Sequence, residues 1–306
     1  MKERILITGG AGFIGSAIIK HFENSGAELF VLDNLSFGSR DFIPTDDAHF
    51  FPTDILDQPA VNSIFEKVKP HKVLHLAAIH FIPYCNQHPF ESSDINIRGT
   101  IHILKAAAAQ KVNQLLFAST AAVYPICDDA VSETHPTKPM DIYGLSKLAG
   151  EHLCHEFFLE TKINTIICRF FNAFGPNETN PHLIPEIQKQ VNDGLRKIKL
   201  GNLTPKRDFI HTYDMAAAID TLLRKATNGY DTFNLGRGIE YSVTEIVEAF
   251  ERQIGEKIEI EVDQARVRKV ERMHLLADVS KLKSLGWEPK IGIDEGISTL
   301  VKKMIA

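Results

Sequence analysis

The 306-residue chain is short of the features that mark specialised protein classes. It has four cysteines, at 85, 127, 154 and 168, and no CxxC pair among them. That usage excludes a disulfide framework and points to a reducing, cytoplasmic setting. No apolar run approaches the roughly 18–20 residues that a bilayer-spanning helix needs, so no membrane partner is expected. The N-terminus enters a strand pattern at Arg4–Thr8 without the layout of a signal peptide. Lysines and arginines are scattered and the net charge is −5, which argues against a nucleic-acid-binding surface. Low-complexity segments and internal repeats are also missing. What is present, 44% hydrophobic and 24% charged residues, is ordinary globular composition, enough for one large α/β domain and a smaller one.

Short apolar runs alternate with helical patterns through the first half. Ile5–Ile7, Leu29–Leu32, Val73–Leu76, Leu115–Ala118 and Thr165–Cys168 read as buried parallel strands, because they are apolar without alternation. Helices are expected near 13–25, 59–68, 89–110 and 143–160. Such repeated βαβ units predict a doubly wound parallel sheet that binds its ligands at the carboxyl ends of the strands. After about residue 172 prolines interrupt the pattern, and helices are expected near 183–194, 213–225, 243–253 and 292–304. The chain therefore divides into a larger domain, 1–172 with parts of 207–240, and a smaller, mostly C-terminal α/β substrate lobe, 173–206 and 241–306.

The segment from Ile5 to Gly15 reads as strand, turn and helix start, with glycines at 9, 12 and 15. Glycine serves where a backbone turns sharply, approaches a pyrophosphate, or lets a helix pack on a strand. The phosphates would sit at the positive end of the helix. A second strand ends at Asp33, whose carboxylate would accept both ribose hydroxyls of an adenosine and repel a 2′-phosphate, favouring NAD over NADP. No Gly-Lys-Ser/Thr closes the turn, which excludes a P-loop. The pattern is that of a Rossmann dinucleotide site.

Tyr143 and Lys147 stand four residues apart at the start of a helix, on one face. An ordinary phenol, with a pKa about 10, is a poor base at neutral pH. A neighbouring ammonium and an oxidised nicotinamide ring would lower it, so Tyr143 could take a proton from a hydroxyl as hydride leaves. The strand Leu115–Ala118 runs into Ser119 and Thr120, and the Thr120 hydroxyl would reach the same oxygen. The competing reading of Ser119 and Thr120 is a pair that merely caps backbone groups.

Taken together these residues resemble the extended short-chain dehydrogenase/reductase family, the NAD-dependent nucleotide-sugar epimerases and dehydratases. The likeness rests on Thr8–Ser16, Asp33-Asn34-Leu35, Asp54-Ile55, His75-Leu76-Ala77-Ala78, Asn96 with Gly99-Thr100, Tyr143 with Lys147, Arg169-Phe170-Phe171-Asn172, Arg207-Asp208-Phe209 and Leu285–Pro289. The resemblance implies that Gly9, Gly12, Gly15, Phe13 and Ile14 meet the pyrophosphate, and that Asp33, Asn34 and Ser36 hold the ribose. Asp54 and Ile55 would flank the adenine. Leu76, Ala77, Ala78, Asn96, Ser119 and Phe171 would complete the NAD channel with Tyr143 and Lys147. It further implies that Asn172, Leu183, Leu200, Arg207 and Arg268 bind a nucleotide-diphosphate sugar, the two arginines clamping the diphosphate. His80, in the loop that should touch the sugar, and Thr120 join the substrate set. The helices near 89–110 and 143–160 would build a four-helix homodimer interface.

Dehydratases of the family resemble one another in an Asp-Glu pair directly after the catalytic Thr; here those positions are Ala121 and Ala122. An alanine supplies neither acid nor base, so elimination is disfavoured and 4-epimerisation through a transient 4-keto sugar is expected. A dehydratase or 4-keto reductase of the same family is the alternative, and an NAD-binding regulator without turnover is the non-enzymatic one. The segments 79–85 and 175–182 depart from common epimerases, while Gly201-Asn202-Leu203 resembles GDP-mannose dehydratases, so sugar and nucleotide stay open. His152, Cys154 and His155 lie close together, but only His152 and His155 share a helix face, two ligands without a third, and no metal is expected.

Overall fold

The computed structural model describes residues 2–264 and 272–305. Its strands, in chain order, are β1 (Arg4–Thr8), β2 (Glu28–Leu32), β3 (Phe50–Phe51), β4 (Lys72–His75), β5 (Gln114–Thr120), β6 (Asn164–Phe170), β7 (Asn172–Phe174), β8 (Lys197–Leu200), β9 (Lys206–His211), β10 (Tyr230–Leu235), β11 (Glu240–Ser242) and β12 (Glu259–Val262). The helices are α1 (Phe13–Phe22), α2 (Gln58–Val68), α3 (Ile82–Gln87), α4 (Pro89–Ser93), α5 (Thr100–Ala109), α6 (Ile142–Thr161), α7 (Leu183–Asn192), α8 (Thr212–Lys225), α9 (Val243–Ile254), α10 (Ser280–Ser284) and α11 (Ile293–Ile305).

Seven parallel strands form the main sheet, in the order β10-β6-β5-β4-β1-β2-β3. The order reverses between β1 and β4, where a doubly wound sheet opens its crevice. The continuous apolar strands are explained by cover on both faces. One core joins Ile5 and Ile7 to Ile18 of α1 and to Met215, Ile219 and Leu222 of α8. The other joins Leu6, Val73 and Leu115 to Phe65 of α2, Ile103 of α5 and Phe157 of α6. A separate core, around Ile187, Phe209, Ile246, Phe250 and Ile297, packs α7, α9 and α11 with two small sheets, β11-β9-β7 and β12-β8.

The expected single helix over 89–110 is three pieces. α4 and α5 are joined by a π-helical turn over Asp94–Gly99. The wider turn carries the buried Asn96 side chain to both the amide and the carbonyl of Ile79 (2.8 and 2.9 Å) and to Ser146 Oγ at 2.9 Å. The loop after Ala78 holds a short helix, α3, begun by Pro83, which the sequence pattern did not mark.

Candidate active site

β1 leads into α1 through the glycine turn. Gly9 has φ +71°, and a Cβ there would meet the Ala77 amide nitrogen at 2.8 Å. A Cβ on Gly15 would collide with the Gly9 carbonyl oxygen, so helix and strand can pack this closely only without side chains. At the end of β2, Asp33 is buried, and its carboxylate accepts hydrogen bonds from the amides of Ala11 (3.0 Å) and Leu35 (2.8 Å). Burial raises its pKa above the usual carboxylate value, with those two bonds opposing. Asn34 Nδ2 donates to Asp54 Oδ2 at 2.9 Å, joining the ends of β2 and β3.

Across the sheet, Asp141 caps α6 by accepting from the Gly144 amide at 2.7 Å, which fixes the helix start on which Tyr143 sits. The Thr120 hydroxyl, at the end of β5, accepts from the Ala122 amide at 3.1 Å and lies on the same wall as the Tyr143 phenol. Burial pushes that phenol well above its ordinary value and the Thr120 hydroxyl opposes the rise. In the protein without NAD the phenol is therefore raised, because desolvation of the anion outweighs its neighbours; the expected lowering requires the oxidised nicotinamide ring as well. Lys147 is 2% exposed, with Nζ 4.1 Å from the centre of the Phe117 ring. Burial brings its ammonium down to about 8, against the pull of Cys154 and Glu151. Behind it, His75 bridges Thr8 Oγ1 (2.7 Å) and Thr100 Oγ1 (3.0 Å), and burial holds the ring neutral, down to about 3.

The glycine turn, Asp33, Thr120, Tyr143 and Lys147 face one cleft of about 1520 Å³. That exceeds the roughly 300–1,000 Å³ of a site for one drug-sized ligand, and suits two adjoining ones. The wall includes Gly9, Gly12, Phe13, Ile14, Gly15, Asp33, Asn34, Ser36, Asp54, Ile55, Leu76, Ala77 and Ala78. It continues through His80, Ser119, Thr120, Tyr143, Lys147, Phe171, Asn172, Leu183 and Arg207. Two expected site residues stand elsewhere. Asn96 is behind the wall, holding Ile79. Leu200 is 2% exposed in the core of the small lobe, and its neighbours Gly201 and Asn202 line the cleft instead. Arg268 falls outside the described residues. Ser119 reaches the wall, but its hydroxyl is committed to Glu151 Oε1.

Sequence reasoning missed Arg272. Its Nη2 donates to the Tyr124 carbonyl at 2.8 Å and its own carbonyl accepts from Arg207 Nη1 at 2.7 Å. Burial and the nearby Arg207 lower its pKa, so two guanidiniums adjoin in the cleft, a setting that suits an anion. The pairing of Met273 and Leu275 with β9 (2.8 and 2.9 Å) sets this register, and no local pattern announces it.

Residues 5–236 match the model of the NAD dependent epimerase/dehydratase family. The chain is 32% identical to UDP-glucose 4-epimerase of Bacillus subtilis, over 95% of this chain and 94% of that protein. It is 31% identical to the bovine UDP-glucose 4-epimerase, over 96% and 94%. Among solved structures it superposes on the Thermus thermophilus UDP-glucose 4-epimerase complex with NAD (TM-score 0.91, 29% identity, 99% of both chains). It also superposes on the Thermotoga maritima UDP-glucose 4-epimerase with UDP-glucose (TM-score 0.90, 25% identity, 99% and 100%). The glycine turn beside Asp33, the Tyr143–Lys147 face and these relatives converge: the chain belongs to the NAD-dependent epimerase/dehydratase family and is an NAD-dependent epimerase.

Proposed function

We propose that the protein interconverts UDP-glucose and UDP-galactose by 4-epimerisation. The observation that carries this reading is the placement of Thr120, Tyr143 and Lys147 together in the cleft wall, with Ala121 and Ala122 where an eliminating enzyme carries acids.

NAD fits the residues present, because the Gly9–Gly15 turn leaves room for a pyrophosphate and Asp33 offers a buried carboxylate to a ribose. When bound, NAD supplies a hydride acceptor that later returns the hydride, and a positive ring charge while oxidised. Tyr143 takes the proton of the sugar 4-hydroxyl as C4 loses hydride, and Thr120 orders that oxygen. Lys147 stabilises the phenolate by charge. After the 4-keto sugar turns over in the cleft, Tyr143 returns its proton as hydride reaches the opposite face, so no net oxidation occurs. Arg207, with Arg272 beside it, would hold the diphosphate, and Asn172 and Leu183 the uridine side. The lobe of 173–206 and 241–306 closes the substrate over the larger domain.

We further assign a homodimer through α4, α5 and α6. Phe90 is 90% exposed, and Leu145 and Leu159, fourteen residues apart on one face of α6, are 55% and 45% exposed. A cytoplasmic setting accords with four free thiols, three of them buried. The test is a panel of UDP-, GDP-, CDP- and dTDP-sugars with products read by NMR. Epimers from the UDP-hexoses support the assignment; loss of water from the product would replace it with a dehydratase.

A further inference from the structure

The two stretches that set this sequence apart from common epimerases, 79–85 and 175–182, meet in the cleft. His80 stands in the turn after β4, and its Nε2 is 3.0 Å from Asn180 Nδ2. Its ring centre is 5.9 Å from that of His182, which also packs 5.5 Å from Phe81. His182 is the residue before the first turn of α7 and makes no capping bond with its side chain. Glu178 turns inward, its side chain 6% exposed. Its Oε1 accepts from the Asn180 amide at 3.0 Å and its Oε2 is 3.4 Å from His182 Nδ1.

The outer part of the loop is tied down. Asn177 Nδ2 donates to Ser16 Oγ at 3.2 Å, and Thr179 Oγ1 to the Phe37 carbonyl at 3.0 Å. Both anchors are on the dinucleotide side. From His182 the chain continues into Leu183 and α7, toward the arginines. His80, Glu178 and His182 thus line the same cleft wall as Tyr143, with Asn180 buried beside His80.

Their chemistry is mixed. With the Asn180 amide donating to Nε2, the proton of His80 sits on Nδ1, and that nitrogen has no protein partner among the described residues. Burial keeps the ring neutral, down to about 4, despite the nearby Glu178. Burial is the largest influence and works against the charge on Glu178, but His182, the Asn180 amide and His80 together outweigh it and hold the carboxyl below its usual range. The wall therefore offers a neutral N–H donor and a fixed carboxylate, which matches hydroxyls that both give and accept and opposes a second carboxylate.

Resting on the epimerase reading, we infer that His80, Glu178 and His182, with Asn180 orienting His80, are the hexose-selecting residues of this enzyme, admitting neutral hexoses and turning away uronic acids. The test measures kcat/KM of NAD-loaded enzyme for UDP-galactose and UDP-galacturonate, with products read by NMR. Wild type is expected to prefer UDP-galactose by at least about tenfold, and Glu178→Gln to narrow that preference about fivefold by gaining on the uronate. His80→Phe is expected to lower kcat/KM for UDP-galactose about tenfold with NAD content retained. Equal use of both substrates by wild type, or an unchanged ratio in Glu178→Gln, overturns the inference. Calorimetric affinities of the two nucleotide sugars give the same ratio for any variant too slow to assay. Failure of wild type to epimerise any UDP-sugar would contradict the epimerase reading instead, while the two affinities would still decide on the wall.

Discussion

The Glu151 carboxylate and the Arg169 guanidinium form a bidentate ion pair one helical turn behind Lys147, with Nε–Oε1 at 2.9 Å and Nη2–Oε2 at 2.7 Å. Both side chains are almost fully buried. The pair ties α6 to β6 and, through Ser119 on Glu151, to the end of β5. The strand that carries Thr120 and the helix that carries Tyr143 are thereby held at one separation.

Removing one partner leaves the other charge buried and unpaired. Glu151→Gln should therefore cost about 3–5 kcal/mol of stability by denaturant titration. Glu151 also supports the charge on Lys147, so without it the ammonium loses its proton at lower pH. The alkaline limb of the kcat profile, set by Lys147 at about 8, should move downward in the variant. A variant with unchanged stability and an unchanged profile would remove this pair from the account.

Tyr143→Phe deletes the proton acceptor and leaves the dinucleotide turn untouched. NAD content after purification should stay near that of wild type, while kcat falls on the order of 10²–10⁴-fold. Full turnover in this variant would mean that another group handles the proton.

His75 gives the fold an acid sensitivity. Its folded pKa is lowered to about 3 from 6.5, so below pH 6.5 the unfolded chain binds a proton that the folded one refuses. Stability should drop as pH falls from 6.5 toward 3, by a few kcal/mol in all. His75→Asn should flatten that slope in urea titrations at a series of pH values, even though losing the Thr8 and Thr100 bonds lowers its stability at pH 7. An equal slope in both proteins would assign the sensitivity elsewhere.

The proposed dimer surface can be tested by charge. Leu145→Glu, on the exposed face of α6, should convert a dimer to a monomer in light scattering. A wild type that is already monomeric would refute the assembly.

Much of this was legible because it is local. The Gly9–Gly15 turn lies between a strand and a helix that adjoin in sequence, and Tyr143 and Lys147 share a helix face, so spacing alone reveals them. Other features depend on contacts between residues far apart. β10 pairs with β6 across some 65 residues, the register of Arg272 on Arg207 is set by strand pairing, and the His80–Asn180 bond joins residues 100 apart. No periodicity encodes such meetings. The phenol pKa of the protein without NAD is illegible for a related reason: a sequence places Tyr143 near Lys147, but burial, which dominates the shift, belongs to the folded cleft.

The central claim, hydride out and back at one carbon, is tested most directly with UDP-glucose deuterated at C4 and incubated with the NAD-loaded protein. The account predicts UDP-galactose that keeps its deuterium at C4, with no net NADH and no loss of water. Deuterium washed out to solvent, or a product lighter by one water, would contradict it.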